Sequence, residues 1–488
     1  MKLFIHLDAA VILLLRQAVV NLFCRFYLCF LYQKEAPGWQ IVLKYDPVTS
    51  SNGLSDNPAS NDPSGLARVF RALRSRNYRL YFIGQGISLI GTWMQQVAIS
   101  WLVYRLTNSA LLLGVVAFCG LISTFLLTPF AGVLVDRLNR HRILIVTQTL
   151  AMIQALTLAA IVLTGNAAIW NLILLSTSLG LINAFDMPTR QSFVLDMVEK
   201  REDLGNAIAL NSSLFNAARL LGPSVAGILV ATVGEGVCFL INGISFIAVI
   251  GCLLAMKLPP LKTTIQHTPL LKGLKEGVTY AFGFAPIKYI ILLLALASLV
   301  AMPYPVLMPV FAKEVLQGGP NTLGFLMAAA GAGALIGAIY LASRENVFGL
   351  GKIIVVAACI FGSGLVLFSF SRILPLSLLF MVFTGFGMVV QMAASNTVLQ
   401  TIADDDKRGR VMSFFVMSFM GLAPFGTLLA GSMADVIGAP TTLLVGGLCC
   451  IAGGLIFAKK YSSVKEMVHN AYVKKVLVSE SAPTSKNI

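Results

Sequence analysis

The chain is built from a succession of apolar runs, each long enough to cross a lipid bilayer as a helix, and no other feature constrains its fold as strongly. A spanning helix needs about 20 mostly apolar residues, because each residue adds about 1.5 Å toward the roughly 30 Å of hydrocarbon. Only 12% of the residues are charged, about half the share in soluble domains. We therefore predict an all-α membrane protein with twelve transmembrane helices, at residues 80–102, 111–135, 143–163, 169–184, 207–233, 237–256, 287–310, 323–341, 353–370, 376–397, 411–433 and 441–457.

The formal net charge of +15 is explained by where the basic residues fall. If the spans alternate in direction, one side collects most of the lysines and arginines, and the other side receives only Arg105, Lys313 and Arg372. Basic connections stay on the cytoplasmic side of a membrane. We therefore predict a multi-pass protein in which both termini of the twelve-helix core are cytoplasmic, and nucleic-acid binding is not needed to explain the charge.

The second six spans repeat the first six. With an offset of 204 residues, Gly222 coincides with Gly426 and Gly227 with Gly431. Duplicated six-helix halves are a transporter architecture, with the ligand site near the midplane between the halves. We predict an N-terminal extension with a polar linker, a first half, a central cytoplasmic loop, a second half and a cytoplasmic tail, at residues 1–66, 67–256, 257–286, 287–458 and 459–488.

Residues 1–66 differ from the rest of the chain. Their apolar stretches are broken by Arg16 and Arg25, which weakens the prediction of a spanning helix. Three interpretations stay open: an extra membrane helix, a helix lying in the membrane interface, or a segment upstream of the translation start. We favour a dispensable or misassigned extension.

A short charged connection joins the second and third spans. It runs from Gly132 to Arg142 and holds one acid, Asp136, together with the basic residues Arg137 and Arg140. A carboxylate at the edge of the hydrocarbon is costly unless it is paired. The connection is therefore either a positively charged anchor with a tight turn or a gating element that clamps one helix against others.

The fifth span contains an arginine followed by a glycine–proline pair. Arg219 is expensive inside a membrane, so it should face a cavity between the halves or a paired acid. Gly222 and Pro223 should bend the helix, and Gly227 should permit close packing. Packing explains the glycines, but it does not explain the arginine.

These two stretches resemble motifs of the major facilitator superfamily, namely its second-to-third-helix signature and the fifth-helix motif of its exporter branches. More narrowly, residues 188–191 (Pro-Thr-Arg-Gln) and 408–413 (Arg-Gly-Arg-Val-Met-Ser) are similar to the transmembrane secretion effector branch, which includes enterobactin-exporter-like and macrolide-efflux-like proteins. The resemblance covers about residues 70–461. It implies a secondary transporter of the bacterial inner membrane that exports a siderophore-like or drug-like small molecule by alternating access, as a proton antiporter.

The resemblance also implies roles for the charged residues at the cytoplasmic end. Asp136 would face the start of the eleventh helix, whose exposed N–H groups favour a carboxylate, and Arg137 or Arg140 would bridge to Asp186. Asn139 stands where the family usually has glycine, and it should retain the turn because asparagine tolerates left-handed backbone. The predicted gating motif consists of Gly132, Asp136, Arg137, Arg140, Arg142 and Asp186. The predicted fifth-helix motif consists of Arg219, Gly222, Pro223 and Gly227.

Six polar side chains within the spans are candidates for lining a cavity, although each is equally suited to bonding a neighbouring helix. They are Gln85, Gln95, Gln96, Asn216, Tyr304 and Gln391. No carboxylate stands near the middle of a span, so the sequence names no proton carrier, although protons are the expected coupling ion. We expect a small-molecule substrate, a lipid bilayer around a monomer, and neither a metal site nor a cofactor.

Two other kinds of function stay open. An importer or uniporter of the same fold would carry most of the same features. A membrane-embedded enzyme or a non-transporting scaffold is less favoured, because the sequence shows no catalytic grouping and no Gly-x-x-x-x-Gly-Lys-Ser/Thr loop for a nucleotide.

Overall fold

The computed structural model of the chain describes residues 70–135, 138–198, 200–257, 283–344, 349–404 and 407–481. Within these ranges the chain forms helices and turns and contains no strand. The predicted N-terminal extension, most of the central loop, and Asp136 and Arg137 of the charged connection lie outside the described residues.

Twelve helical segments follow one another in the described ranges. They are α1 (Arg76–Thr107), α2 (Ala110–Val135), α3 (Arg140–Leu163), α4 (Ile169–Met197), α5 (Leu204–Val233), α6 (Glu235–Leu254), α7 (Ala285–Val300, then Tyr304–Val310 and a π-helical turn Phe311–Val315), α8 (Pro320–Ala342), α9 (Leu350–Phe370), α10 (Leu374–Ile402), α11 (Arg408–Val416, a π-helical turn Met417–Gly421 and Ala423–Ile437) and α12 (Ala439–Ser481). Short 3₁₀ turns precede α1 and α5. Eleven of these segments are long and apolar enough to cross a membrane, and α1 is the less apolar exception. The predicted all-α membrane fold is confirmed.

The two halves pair their helices in the same way. In the first half α1 packs against α5 and α6, while α3 packs against α4 and α6 and α2 packs against α4. The second half repeats each of these pairs with α7 to α12. The offset also recurs in the turns, because Gly234 (φ 85°) and Gly438 (φ 83°) both end helices in a conformation that favours glycine. The duplication that the sequence indicates is therefore present in the structure.

The halves touch each other mainly through two helix pairs, α5 with α8 and α2 with α11. At one end of the bundle, a Cβ added to Gly227 would lie 3.0 Å from the Cα of Gly324, and one added to Gly114 would lie 3.1 Å from the Cα of Gly431. Side chains would hold these helices apart, so the four glycines allow the close contact. We call this the closed end.

The halves part toward the opposite end, which carries the α2–α3 connection and which we call the basic end. Along one face of α2, Gly114 and Phe118 contact α11, and Phe125 lies against Gly421. Two turns further along that face, a Cβ added to Gly132 would meet nothing within 4 Å. On α5, Leu220 packs against α8, whereas Ser213, two turns nearer the basic end, is exposed. The space between the halves therefore opens at the basic end.

Several predicted span limits differ from the structure. The fourth span was expected to end at residue 184, but α4 continues through Pro188 to Met197, so Asp186 lies inside the helix and not at its end. Proline is tolerated within membrane helices because neighbouring groups satisfy the freed backbone carbonyl. The seventh span is interrupted between Val300 and Tyr304, and the twelfth helix runs well beyond the predicted span, to Ser481.

Candidate functional site

Arg219 lies near the middle of α5, where the close contact between the halves gives way to the open space. Gly222, one turn further on, allows α1 to approach, since an added Cβ would stand 2.5 Å from the Cβ of Trp93. This approach places the Trp93 ring beside the arginine, with the guanidinium carbon 5.9 Å from the ring centroid. Phe215 packs edge-on against the same indole at 5.6 Å. The first half therefore offers a cation held on an aromatic ring.

The second half contributes Tyr304 to the same place. Tyr304 begins the second segment of α7, directly after the interruption that ends at Pro303, and its side chain is buried. Its hydroxyl interacts with the Arg219 guanidinium. Interrupted helices at the interface of two repeats are where transporters of this architecture build their substrate sites. Arg219, Trp93 and Tyr304 together form what we call the central cluster.

Arg219 differs from the arginines of the described chain that pair with acids. Ion pairs join Arg71 to Asp203, Arg105 to Glu235, Arg140 to Asp196 and Arg190 to Asp186. Among the described residues, no carboxylate forms an ion pair with Arg219. The sequence left open whether this arginine faces a cavity or an acid, and the contacts that the structure describes are aromatic.

Of the six candidate cavity residues, Gln85 and Gln96 share one side of α1. They are eleven residues apart, which is three helical turns, and they lie opposite the exposed Ile83 and Ile87. Both glutamines are therefore directed toward the interior of the bundle. Gln85 is buried there by neighbouring side chains, whereas Gln96 is accessible to solvent.

Gln95 takes the other role that the sequence allowed. Its amide nitrogen donates to Gln154 Oε1 at 3.0 Å, and its oxygen accepts from Asn242 Nδ2 at 2.8 Å. This buried network joins α1 to α3 and α6. Asn216 donates to the Ser212 carbonyl of its own helix at 2.9 Å.

Gln391 lies on α10 in the interior of the second half. It is 0% exposed, and neither polar atom of its side chain has a hydrogen-bond partner among the described residues. Buried polar atoms are nearly always bonded. Gln391 therefore does not line the open space in this conformation, and its unmet hydrogen bonds are not explained by the packing of α10.

Asp186 is the centre of a buried network near the basic end. Its carboxylate accepts hydrogen bonds from Arg190 on the same helix, from Thr147 at 2.9 Å and from Gln148 at 2.7 Å. A bridge to Asp186 was expected from Arg137 or Arg140. The Arg140 alternative is wrong, since Arg140 lies 3.4 Å from Asp196 instead, and Arg137 lies outside the described residues. The reason is the length of α4, which places Asp196 nearer than Asp186 to the start of α3.

The described part of the charged connection is a helix start. Asn139 has extended backbone (φ −70°), and its side chain accepts from the Arg142 N–H at 3.2 Å. Asn139 is therefore the N-cap of α3. It does not adopt the left-handed backbone for which an asparagine was expected here. Gly132 and the exposed Arg142 make no contact with the second half that the structure describes.

The closed end holds a set of polar contacts between the halves that sequence reasoning missed. The Tyr104 hydroxyl of α1 donates to the Glu314 carboxylate of α7. Lys313 donates to Asn108 Oδ1 at 2.6 Å and stands 5.4 Å from the Tyr104 ring centroid. We call these four residues the closed-end latch. Tyr104 and Glu314 are 210 residues apart in the chain, so no local pattern signals their pairing.

Replacing Glu314 with glutamine should loosen the closed end. The glutamine oxygen can still accept from the Tyr104 hydroxyl, so the change removes only the contribution of the charge, about 1 kcal/mol, and the population open at this end should rise about fivefold. Spin labels at Asn166 and Ile373, one in each half, would report the distance in a chain without its native cysteines. Tyr104→Phe should have a similar effect, and the double variant should add little. An unchanged distance distribution would show that the latch contributes nothing.

Comparisons with known proteins agree with this architecture. The model of a family described as transmembrane secretion effector matches residues 67–481. The chain belongs to this family. As a member of the major facilitator superfamily, it is a transporter embedded in a membrane, and the family resemblance that the sequence suggested is confirmed.

Two similar proteins have names that state what they transport. The staphyloferrin A transporter of Staphylococcus aureus is 26% identical over 78% of this chain and 95% of its own length. The multidrug efflux pump Tap of Mycolicibacterium fortuitum is 25% identical over 76% of this chain and 91% of its own. Among solved structures, a bacterial homologue of the iron transporter ferroportin in an inward-facing state matches with a TM-score of 0.60 and 17% identity, over 82% of this chain and all of that one. That likeness shows a shared fold.

Proposed function

We propose that this secretion effector exports a siderophore-like or drug-like small molecule across the bacterial inner membrane by alternating access. The observation that carries the proposal is the shape of the bundle. Glycine contacts shut it at the closed end, and it is open from the basic end as far as the central cluster. With the basic end in the cytoplasm, as the positive-inside rule favours, this conformation would accept cargo from the cell. The efflux function of the relative Tap supports the direction.

The driving force that we propose is the proton gradient, with one monomer as the working unit. Asp186 is the buried carboxylate of the described first-half helices nearest to the open side, and it is already bonded to Arg190, Thr147 and Gln148. A proton carrier is therefore not assigned to it. Coupling is tested more directly by transport than by the geometry of any one acid.

Inverted membrane vesicles provide the test, because their cytoplasmic face is outside. An exporter should accumulate a cargo such as a siderophore, a macrolide or a cationic dye inside them when the interior is acidified. An uncoupler should abolish the accumulation. Uptake that occurs only into right-side-out vesicles would show an importer, uptake that never exceeds equilibrium would show a uniporter, and no transport of any compound would favour a scaffold.

The charged connection supplies a second test of the same proposal. Asp136→Asn should lower uptake about tenfold, because the amide would lose the interaction that we propose for the Asp136 carboxylate with the start of α11 when the basic end is shut, worth about 1–2 kcal/mol. The amount of protein in the membrane should not change. Glu202→Gln removes one acid from the same end and should leave uptake intact. Normal export by Asp136→Asn would show that the connection is a positively charged anchor and not a gating element.

A further inference from the structure

The central cluster contains a positive charge that the described residues do not balance. Arg219 is partly exposed to the open space, and its described neighbours are the ring of Trp93 and the hydroxyl of Tyr304. A ring face attracts a cation, by about 0.5–2 kcal/mol. This is much less than a paired carboxylate provides, and an arginine in the middle of a membrane span is otherwise expensive.

Among the described residues, the two buried acids and the acid of the closed-end latch are paired elsewhere. Asp186 is occupied by Arg190, and Glu235 is held by Arg105 through two bonds of 2.8 and 3.2 Å. Glu314 belongs to the closed-end latch, beyond the glycine contacts. The described lining of the open space therefore has a positive charge at its innermost point, and a cleft of one sign concentrates ions of the opposite sign.

The surroundings of Arg219 also suit an organic molecule more than a simple ion. Trp93 and the half-exposed Phe215 stand edge to face at 5.6 Å, and they offer apolar surface next to the guanidinium. The planar guanidinium itself can donate two parallel hydrogen bonds to a carboxylate. A ligand with an apolar body and an acidic group matches both features.

We propose that Arg219 binds the anionic group of the cargo, so that the preferred substrates are amphipathic organic anions bearing a carboxylate. The aromatic rings of Trp93 and Phe215 hold the apolar part of the molecule. Tyr304 connects the bound anion to the second half, because its hydroxyl contacts the same guanidinium. This inference rests on the proposed function, since it names the class of molecule that is exported.

The test measures binding and needs no gradient. Purified protein in nanodiscs of phosphatidylcholine is titrated against two xanthene dyes, the anionic fluorescein and a cationic rhodamine ester, and binding is read by fluorescence polarisation. The wild-type chain should bind fluorescein more tightly. Arg219→Gln should weaken fluorescein binding about 10- to 100-fold, as expected for a charge-assisted hydrogen bond, and leave the rhodamine ester unaffected. Arg219→Lys keeps the charge but loses the planar fork, so it should retain only part of the affinity.

The control is Arg372→Gln, which removes the same charge from the exposed α9–α10 connection, where Arg372 bonds the Ser369 carbonyl at 2.9 Å. Equal weakening of both dyes by Arg219→Gln, or equal weakening of fluorescein by Arg372→Gln, would overturn the proposal. Displacement in the wild-type chain keeps the test decisive if Arg219→Gln does not fold: naphthoate should displace fluorescein, and naphthamide should not. Displacement by both compounds alike would also overturn the anion site.

The two proposals fail in different ways. If the protein binds anions selectively through Arg219 but transports nothing in vesicles, the proposed function is wrong and the anion site stands. If the gradient drives export of a dye whose affinity does not change in Arg219→Gln, the anion site is wrong and the proposed function stands.

Discussion

Replacing Gly324 with valine should prevent the closed end from closing and so abolish most transport. A Cβ at this position would lie 2.5 Å from the Pro223 carbonyl oxygen and 2.7 Å from the Gly227 Cα. Both are backbone atoms of the other half, so the clash cannot be relieved by turning a side chain. Overpacking costs about 1–3 kcal/mol, and separation of the halves avoids that cost. The population should therefore shift about 10- to 100-fold toward conformations in which the halves are apart at the closed end.

The measurements for Gly324→Val are uptake into inverted vesicles and the Asn166–Ile373 label distance. We expect uptake to fall at least about tenfold and the distance to lengthen, in line with the population shift, while the amount of protein in the membrane changes little. Gly251→Val is the matched control, because a Cβ on Gly251 of α6 would meet nothing within 4 Å. Full transport by Gly324→Val would show that the closed end does not need this contact.

Asp186→Asn should be the most destabilising single change in the first half. The neutral amide leaves the Arg190 guanidinium without its paired carboxylate, and breaking such a buried pair costs about 3 kcal/mol. The hydrogen bonds from Thr147 and Gln148 can still be accepted by the asparagine oxygen, so the loss lies mainly with the arginine. The free energy of unfolding, measured by titration with sodium dodecyl sulfate in mixed micelles, reports the effect.

Two further variants separate the charge pair from general sensitivity of α4. Adding Arg190→Gln to Asp186→Asn should recover part of the stability, because the remaining amides can bond each other. Asp196→Asn is the control, since its pair with Arg140 is 3.4 Å long and the Asp196 carboxylate is more exposed than that of Asp186. That change should cost less than about 1 kcal/mol. Equal losses from Asp186→Asn and Asp196→Asn would contradict the buried-pair explanation.

The fold was predictable because its cause is local. Each apolar run must be a helix in lipid, since the backbone can satisfy its hydrogen bonds only within the segment. The repeat was predictable for a similar reason, because Gly222 and Gly426 each permit a neighbouring helix of their own half to approach, α1 and α7 respectively. Helix ends were harder, since Pro188 inside α4 was compatible with either a stop or a continuation.

Sequence reasoning about the site identified residues and misjudged partners. Arg219 was recognised because an arginine inside a span has an obvious cost. Its contact with Tyr304 was not foreseen, and neither was the pairing of Tyr104 with Glu314. Both contacts join the two halves, so they depend on how the halves dock. Gln95 and Gln391 were indistinguishable from Gln85 and Gln96 in the sequence, because helical position alone does not say which neighbour a side chain meets.

The sequence by itself determined the membrane-spanning helices, because an apolar run in lipid must satisfy its backbone hydrogen bonds within itself. It also determined the duplication and the charge asymmetry, because both are patterns of residues along the chain. Only the tertiary structure decided which end of the bundle is shut, since that depends on glycines such as Gly227 and Gly324 meeting across the halves. It also decided that Arg219 lies on an aromatic ring. The cost of a charge depends on how deep it stands in a span, and its compensation depends on which helices are packed beside it.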